Sequence, residues 1–177
     1  MRNVLQVSFL FLAIGLLLSF SSNPQPPLSE SKIKWYSWEE AVAANQNTPK
    51  KFYVDIYTDW CGWCKVMDKK TFSNPEIADY INQNFYPVKL NAEQKEDISF
   101  NGKTYSWHEE NGKGIHLMAY SLLDGKMSYP SFVYLNSKFE RIHIAPGFKK
   151  PEQLLPELKF VGDGHYKNQT WEEYLKE

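Results

Sequence analysis

Cysteine is scarce in this chain: only Cys61 and Cys64 occur in 177 residues. A structural zinc site needs four ligands, and no second Cys-x-x-Cys or spaced pair of histidines is present to complete one. Lys65 follows Cys64 where attachment of a c-type haem would need histidine. The formal net charge is only −1, so the composition does not indicate binding to nucleic acid. After the N-terminal segment, no apolar run is long enough to span a bilayer.

The N-terminal segment is typical of an exported protein. Arg2 precedes an apolar run over residues 4–20, and Ser19 and Ser21 supply the small residues that signal peptidases read. We therefore expect a signal peptide over residues 1–21, a flexible proline-containing leader over 22–34 and one domain over 35–177. An uncleaved membrane anchor is the alternative, since the run approaches the ~20 residues that span a bilayer. Export together with a cysteine pair indicates an oxidising compartment such as the periplasm.

Helical and strand patterns alternate along the rest of the chain. Capping signals predict helices from Trp38, Pro75 and Trp171, because Ser37, Asn74 and Thr170 stand at N-cap positions. The remaining predicted elements are helices over residues 61–71, 115–123 and 151–160, strands over 51–57, 85–90, 131–135 and 141–145, and a hairpin over 98–107 with a type I′ turn at Asn101-Gly102. This order predicts an α/β sandwich with a mixed sheet.

The two cysteines lie where a strand runs into a helix. Cys61-Gly62-Trp63-Cys64 directly follows the predicted buried strand 51–57. Unpaired N–H groups and the macrodipole at a helix N-terminus favour a thiolate, which is the reactive form of cysteine. We therefore expect Cys61 to be an exposed nucleophile and Cys64, one turn inside, to resolve the mixed disulfide. A purely structural bridge over so short a loop would contribute only about 2 kcal/mol.

These residues resemble the thioredoxin family. The similarity covers roughly residues 51–158 and lies in segment 54–65 around the cysteines, Val88-Lys89-Leu90-Asn91, Tyr129-Pro130-Ser131-Phe132 and Pro146-Gly147. It implies a thioredoxin-like α/β fold, in which helices flank a central mixed sheet and residues 91–114 form an inserted hairpin. One departure is Trp63, because the commonest thioredoxin dipeptide between the cysteines is Gly-Pro. The redox potential, and with it the direction of electron flow, therefore does not follow from the resemblance.

The resemblance also assigns roles to individual residues. Asp55, whose apolar neighbours predict burial, would take the proton from Cys64, and Lys89 would be its charge partner. Pro130 would follow a cis peptide bond, and the backbone of Tyr129 would pair with an extended substrate. Trp60 and Trp63 would form part of an apolar rim that binds substrate.

The predicted function is thiol–disulfide exchange on protein thiols and disulfides through a Cys61–Cys64 disulfide. No organic cofactor and no metal is implied, because the dithiol is itself the redox centre. A second protein, possibly membrane-bound, must recycle it. The alternative is a thioredoxin-fold binding module without redox turnover, which would bind a protein partner through the 91–114 insertion or copper(I) through the two thiolates.

Overall fold

The computed structural model describes residues 32–110 and 112–176, so the predicted signal peptide and the leader up to residue 31 lie outside the described residues. The described residues form eight strands: β1 (Lys51–Tyr57), β2 (Phe85–Asn91), β3 (Ile98–Phe100), β4 (Lys103–Tyr105), β5 (Trp107–Glu110), β6 (Lys113–His116), β7 (Ser131–Leu135) and β8 (Arg141–Pro146). They also form six α-helices: α1 (Trp38–Asn47), α2 (Gly62–Lys70), α3 (Pro75–Asn84), α4 (Leu117–Leu122), α5 (Pro151–Gly162) and α6 (Trp171–Tyr174). None of the helices within these ranges combines the length and the apolar character needed to cross a membrane.

Four of the strands build the predicted mixed sheet, in the order β2-β1-β7-β8. Strand β1 runs parallel to β2 and antiparallel to β7, and β7 pairs antiparallel with β8. The register places Asp55 of β1 between Lys89 of β2 and Phe132 of β7. The expected thioredoxin-like fold, with helices on both faces of a central mixed sheet, is confirmed.

The sheet separates two apolar clusters, as the alternation of side chains along a strand requires. Tyr53 of β1 packs with α2, α3 and α5 on one face, whereas Phe52 and Val54 pack with α1 and α4 on the other. Asp55 shares the face of Tyr53 because the two residues are two positions apart. The carboxyl group of Asp55 is therefore directed into the layer that contains the helix of the two cysteines.

The segment after β2 is where the structure departs from the sequence-based prediction. The hairpin β3–β4 is confirmed, and Asn101 and Gly102 both have positive φ, 50° and 73°, as a type I′ turn requires. The predicted helix over residues 115–123 is wrong in its first part, because residues 115 and 116 pair with β5 in a second hairpin, β5–β6. The ring of Trp107 lies over Gly114, where a Cβ atom would come within 1.9 Å of it. The insertion thus contains two hairpins rather than the one expected.

The second hairpin also sets the start of α4. His116 ends β6 and serves as the N-cap of α4, with its Nδ1 accepting the Met118 N–H at 3.2 Å. At the N-terminal end of the described chain, Ile33 falls within the predicted flexible leader. Its side chain instead packs into the core cluster of Tyr53.

The N-cap of α3 permits a direct test of the fold. The Asn74 side chain accepts hydrogen bonds from the N–H groups of Glu76 and Ile77 at 2.9 and 3.2 Å. We expect Asn74→Ala to lower the free energy of unfolding by about 1 kcal/mol, because both N–H groups lose their partner. Urea denaturation of the oxidised protein measures this change. Gln83→Ala, an exposed substitution near the end of the same helix, should change the free energy by less than about 0.5 kcal/mol, and an equal loss in both variants would contradict the capping role.

Candidate active site

The two cysteines form a disulfide at the N-terminus of α2. Their Sγ atoms are 2.08 Å apart and their Cα atoms 5.3 Å apart. Cys61 is the N-cap residue, and its Sγ accepts a hydrogen bond from the Cys64 N–H at 3.1 Å. Cys61 Sγ therefore lies where the helix dipole and an N–H donor stabilise the negative charge of a thiolate once the disulfide is reduced.

The exposure of Cys61 differs from the expectation. Both cysteines are only 4% exposed, so the prediction of an exposed Cys61 is wrong for this disulfide form. The Cys61 side chain turns back over the first turn of α2, toward the Cys64 N–H, instead of projecting into solvent. Its neighbours project instead, since Trp60 is 66% and Trp63 is 61% exposed. The two indole rings are therefore far more accessible from solvent than the sulfur of Cys61.

A buried carboxyl group belongs to the same layer. Asp55 is 1% exposed, its Oδ2 lies 3.2 Å from Lys89 Nζ, and its Oδ1 has no hydrogen-bond partner among the described residues. Burial raises the pKa of Asp55 from 3.8 to about 6, although the charge of Lys89 opposes the shift. A carboxyl with such a pKa can accept a proton near neutral pH, and its unpartnered oxygen is free to do so.

Lys89 has a second acidic partner besides the predicted Asp55. Its ammonium group also forms an ion pair with Asp68 of α2, and it lies 4.8 Å from the centroid of the Tyr57 ring. Burial disfavours the charge of Lys89, but Asp55 and Asp68 together raise its pKa above the ordinary value. Asp68 was not among the predicted site residues. The signal that could have found it is its spacing, four residues after Cys64, which puts the two on one face of the helix.

The loop before β7 has the backbone that the family resemblance implies. The Tyr129–Pro130 peptide bond is cis. The Pro130 carbonyl accepts a hydrogen bond from the Gly147 N–H at 2.8 Å, and Gly147 has a φ of 89°, a conformation that suits glycine. The Tyr129 ring meets the Trp60 ring edge-on at 5.8 Å between centroids. The structure thus brings Trp60 and the cis-proline loop together.

Trp63 lines a groove to which neither Trp60 nor Tyr129 belongs. Its ring lies 5.3 Å from that of Phe148, a residue that the sequence argument did not single out. The groove has a volume of about 410 Å³ and is lined by Trp63, Val66, Lys70, Phe148, Lys150, Pro151 and Glu152. Trp60, by contrast, is fixed by a 2.9 Å hydrogen bond from its Nε1 to Glu93. The two tryptophans therefore contact different aromatic rings, those of Tyr129 and Phe148, and of the two only Trp63 lines this groove.

Comparison with known proteins identifies the family. The model of Thioredox_DsbH, described as a protein of unknown function, DUF255, matches residues 25–150. The chain belongs to this family. The structure described as "DsbH Oxidoreductase" has a TM-score of 0.57 at 14% identity, over 82% of this chain and 92% of that chain. A putative disulphide-isomerase from Bacteroides thetaiotaomicron has a TM-score of 0.52 at 25% identity, over 73% and 93%.

Two curated relatives of this DsbH-like chain are much longer proteins. Spermatogenesis-associated protein 20 of Rattus norvegicus is 27% identical over 99 residues, which are 55% of this chain and 12% of the rat protein. The thiol:disulfide interchange protein DsbD of Photorhabdus laumondii is 36% identical over 47 residues, 27% of this chain and 8% of that protein. The matched segments thus span about a tenth of the length of each of these two relatives. Family, fold and disulfide together support thiol–disulfide redox chemistry.

Proposed function

We propose that this protein is an exported thiol–disulfide oxidoreductase that exchanges its Cys61–Cys64 disulfide with cysteines of other polypeptides. Cys61 is the nucleophile, Cys64 the resolving thiol and Asp55 the proton acceptor. The observation that carries the proposal is the buried Asp55 carboxyl, which lies in the same layer as α2 and has one oxygen without a hydrogen-bond partner in the part of the chain that the structure describes. A disulfide that only tied the chain together would gain nothing from such a group, whose burial is destabilising.

Reduction of a substrate disulfide takes two successive thiol–disulfide exchanges. The Cys61 thiolate attacks a substrate disulfide, which forms a mixed disulfide and releases one substrate thiolate. Cys64 then gives its proton to Asp55 and attacks Cys61 Sγ, which forms the Cys61–Cys64 disulfide and releases the second substrate thiolate. Two electrons pass to the substrate in total. The reverse sequence oxidises a substrate dithiol, with Asp55 returning the proton to Cys64.

The surface around the sulfurs suits a polypeptide substrate. Trp60, Trp63 and the groove beside Phe148 offer exposed apolar area, and Tyr129 packs against Trp60. We infer that the backbone of Tyr129, before the cis Pro130, pairs with an extended substrate segment. The indole rings then bind apolar side chains on either side of the substrate cysteine.

The compartment and the recycling partner complete the proposal. Residues 1–21 support export to an oxidising compartment, for which we propose the periplasm, with the uncleaved anchor as the alternative form. A catalytic disulfide needs a partner that restores its starting redox state. The similarity to part of a thiol:disulfide interchange protein supports a protein dithiol or disulfide as that partner, soluble or membrane-bound.

Two measurements test the proposed function. The protein should accelerate the reduction of insulin by dithiothreitol, and its dithiol should equilibrate reversibly with glutathione. The resulting potential assigns the direction of electron flow, since thioredoxin lies at about −270 mV and a strong oxidant such as DsbA at about −120 mV. Absence of both insulin reduction and reversible equilibration would contradict the proposed function.

Trp63 provides a test of substrate binding. We expect Trp63→Ala to raise KM for a polypeptide disulfide by roughly tenfold. The bound polypeptide would bury the exposed Trp63 ring, and the loss of such an aromatic contact costs about 1–2 kcal/mol. The rate with a small aromatic disulfide should change by less than about threefold, since such a substrate does not fill the groove. Steady-state kinetics with both substrates measure the difference.

Tyr120→Ala is the matched control for Trp63→Ala. Tyr120 is also an exposed aromatic residue but does not line the groove. The Tyr120→Ala substitution should leave KM unchanged for both substrates. An equal rise of KM in the two variants, or a rise for the small substrate as large as for the polypeptide, would contradict a binding role for Trp63.

A further inference from the structure

Lys89 is shared between two carboxyl groups of very different exposure. The Asp55 side chain is 2% exposed and the Asp68 side chain 47%, and the Lys89 ammonium forms an ion pair with each. Aromatic rings surround the same ammonium group: Tyr57 at 4.8 Å, Trp35 at 5.2 Å and Phe72 at 5.8 Å from ring centroid to Nζ. These rings fix the ammonium between the two carboxylates and limit its freedom to move elsewhere.

The elements that carry the two carboxylates also carry the redox centre. Asp68 and Cys64 are four residues apart on α2, so they lie one turn apart on one face of that helix. Asp55 lies on β1 beneath this layer and pairs with Lys89 across β1 and β2. A change in the charge of Asp68 therefore acts on Lys89 directly and on Asp55 through Lys89.

A cleft of about 450 Å³ leads from solvent to this ion pair. It is lined by Lys32, Ile33, Trp35, Asp68, Phe72, Ser73 and Lys89. It shares no residue with the groove at Trp63, and neither Trp60 nor Tyr129 belongs to it. Water can thus reach Lys89 and Asp68 through a cleft that is separate from the groove at Trp63.

We propose that Asp68 is a positioning residue that competes with Asp55 for the Lys89 ammonium and thereby governs how readily Asp55 takes up the Cys64 proton. The proposal rests on the proposed function, in which Asp55 accepts that proton. With Asp68 ionised, part of the Lys89 charge is neutralised and Asp55 binds a proton more readily. Without Asp68, Lys89 pairs with Asp55 alone and holds it ionised.

The charges around Asp55 fix the sign of the effect. Burial raises the pKa of Asp55 to about 6, Lys89 opposes that shift, and Asp68 adds to it. The β7 partner of Asp55 is the uncharged Phe132. Among the described residues, the ionisable groups that interact electrostatically with Asp55 include Lys89 of β2, Asp68 of α2, and Tyr53 and Tyr57 of β1.

The decisive experiment follows the Asp55 carboxyl carbon by NMR in the oxidised full-length protein between pH 4 and 9. Asp68→Asn should lower the midpoint of the titration by roughly 0.5–1 pH unit, because a negative charge near Asp55 is lost. Lys89→Gln should shift the midpoint the opposite way. Asp68→Glu, which keeps the negative charge, should give the wild-type midpoint. Asp79→Asn, a matched substitution on α3, should leave the midpoint unchanged.

A kinetic readout separates this proposal from the proposed function. The pH profile for release of a substrate from its mixed disulfide with Cys61 should move with the NMR midpoint in each variant. An NMR midpoint that is unchanged or raised in Asp68→Asn would overturn the role of Asp68. A lowered NMR midpoint with an unmoved kinetic profile would instead overturn the role of Asp55 as proton acceptor, on which the proposal rests.

Discussion

Cys64→Ala should trap substrates covalently on Cys61 while multiple turnover is lost. Without the second sulfur, the mixed disulfide formed by Cys61 has no internal thiol to resolve it, so it accumulates. Turnover in insulin reduction should fall by on the order of 10³-fold or more, since a covalent mechanism loses its second step. Non-reducing gel electrophoresis and mass spectrometry of the variant, expressed with its N-terminal segment and alkylated on lysis, should show adducts that dithiothreitol releases.

The double variant Cys61→Ser/Cys64→Ser is the control for this prediction. It keeps Trp60, Trp63 and the groove but has no sulfur, so it should form no adducts and show no insulin reduction. A binding module would retain its partners in this variant. Absence of adducts from Cys64→Ala, together with unchanged partner retention by the double variant, would therefore favour the binding module over the enzyme.

The core of the fold follows from local sequence signals. Asn74 and Pro75 mark the start of α3, and the continuous apolar run of β1 predicts a strand buried on both faces. Residues 115 and 116 were mispredicted as the start of the helix over 115–123, because Ile115 suits a strand as well as a helix. The contact between Trp107 and Gly114 across the hairpin favours the strand over the helix. No local sequence pattern reveals that contact.

The candidate site was predictable where it lies in one segment and not where it depends on packing. The cysteines and Asp55 stand close together in the sequence, next to a strand that predicts burial. Asp68 and Phe148 acquire their places only when α2 packs on the sheet and the loop after β8 folds against Trp63. The low exposure of Cys61 likewise depends on how its side chain turns over α2.

Asp55→Asn should make the oxidised protein more stable at pH 8 and less active. Burial raises the pKa of Asp55 from 3.8 to about 6 in the folded protein. Between these values the folded state binds more protons than the unfolded state, so stability is fully present below about pH 4 and falls as pH rises through 6. A shift of about two pKa units corresponds to about 3 kcal/mol. The uncharged amide avoids this loss, and the variant should gain up to about 3 kcal/mol at pH 8 and nearly nothing at pH 4.

The same substitution removes the proton acceptor for Cys64. Asparagine cannot take up a proton, so release of substrate from the mixed disulfide should slow by about 10²-fold at pH 7, within the range typical of general acid–base catalysis. Urea denaturation of the oxidised protein at pH 4 and pH 8 and single-turnover kinetics measure the two effects, with Asp79→Asn, at a half-buried aspartate of α3, as the control. A rise in stability with a fall in rate is the pattern of a residue retained for chemistry at the expense of the fold. If wild type and variant instead show parallel stability from pH 4 to 8, Asp55 does not carry a buried, titrating charge and another group must accept the Cys64 proton.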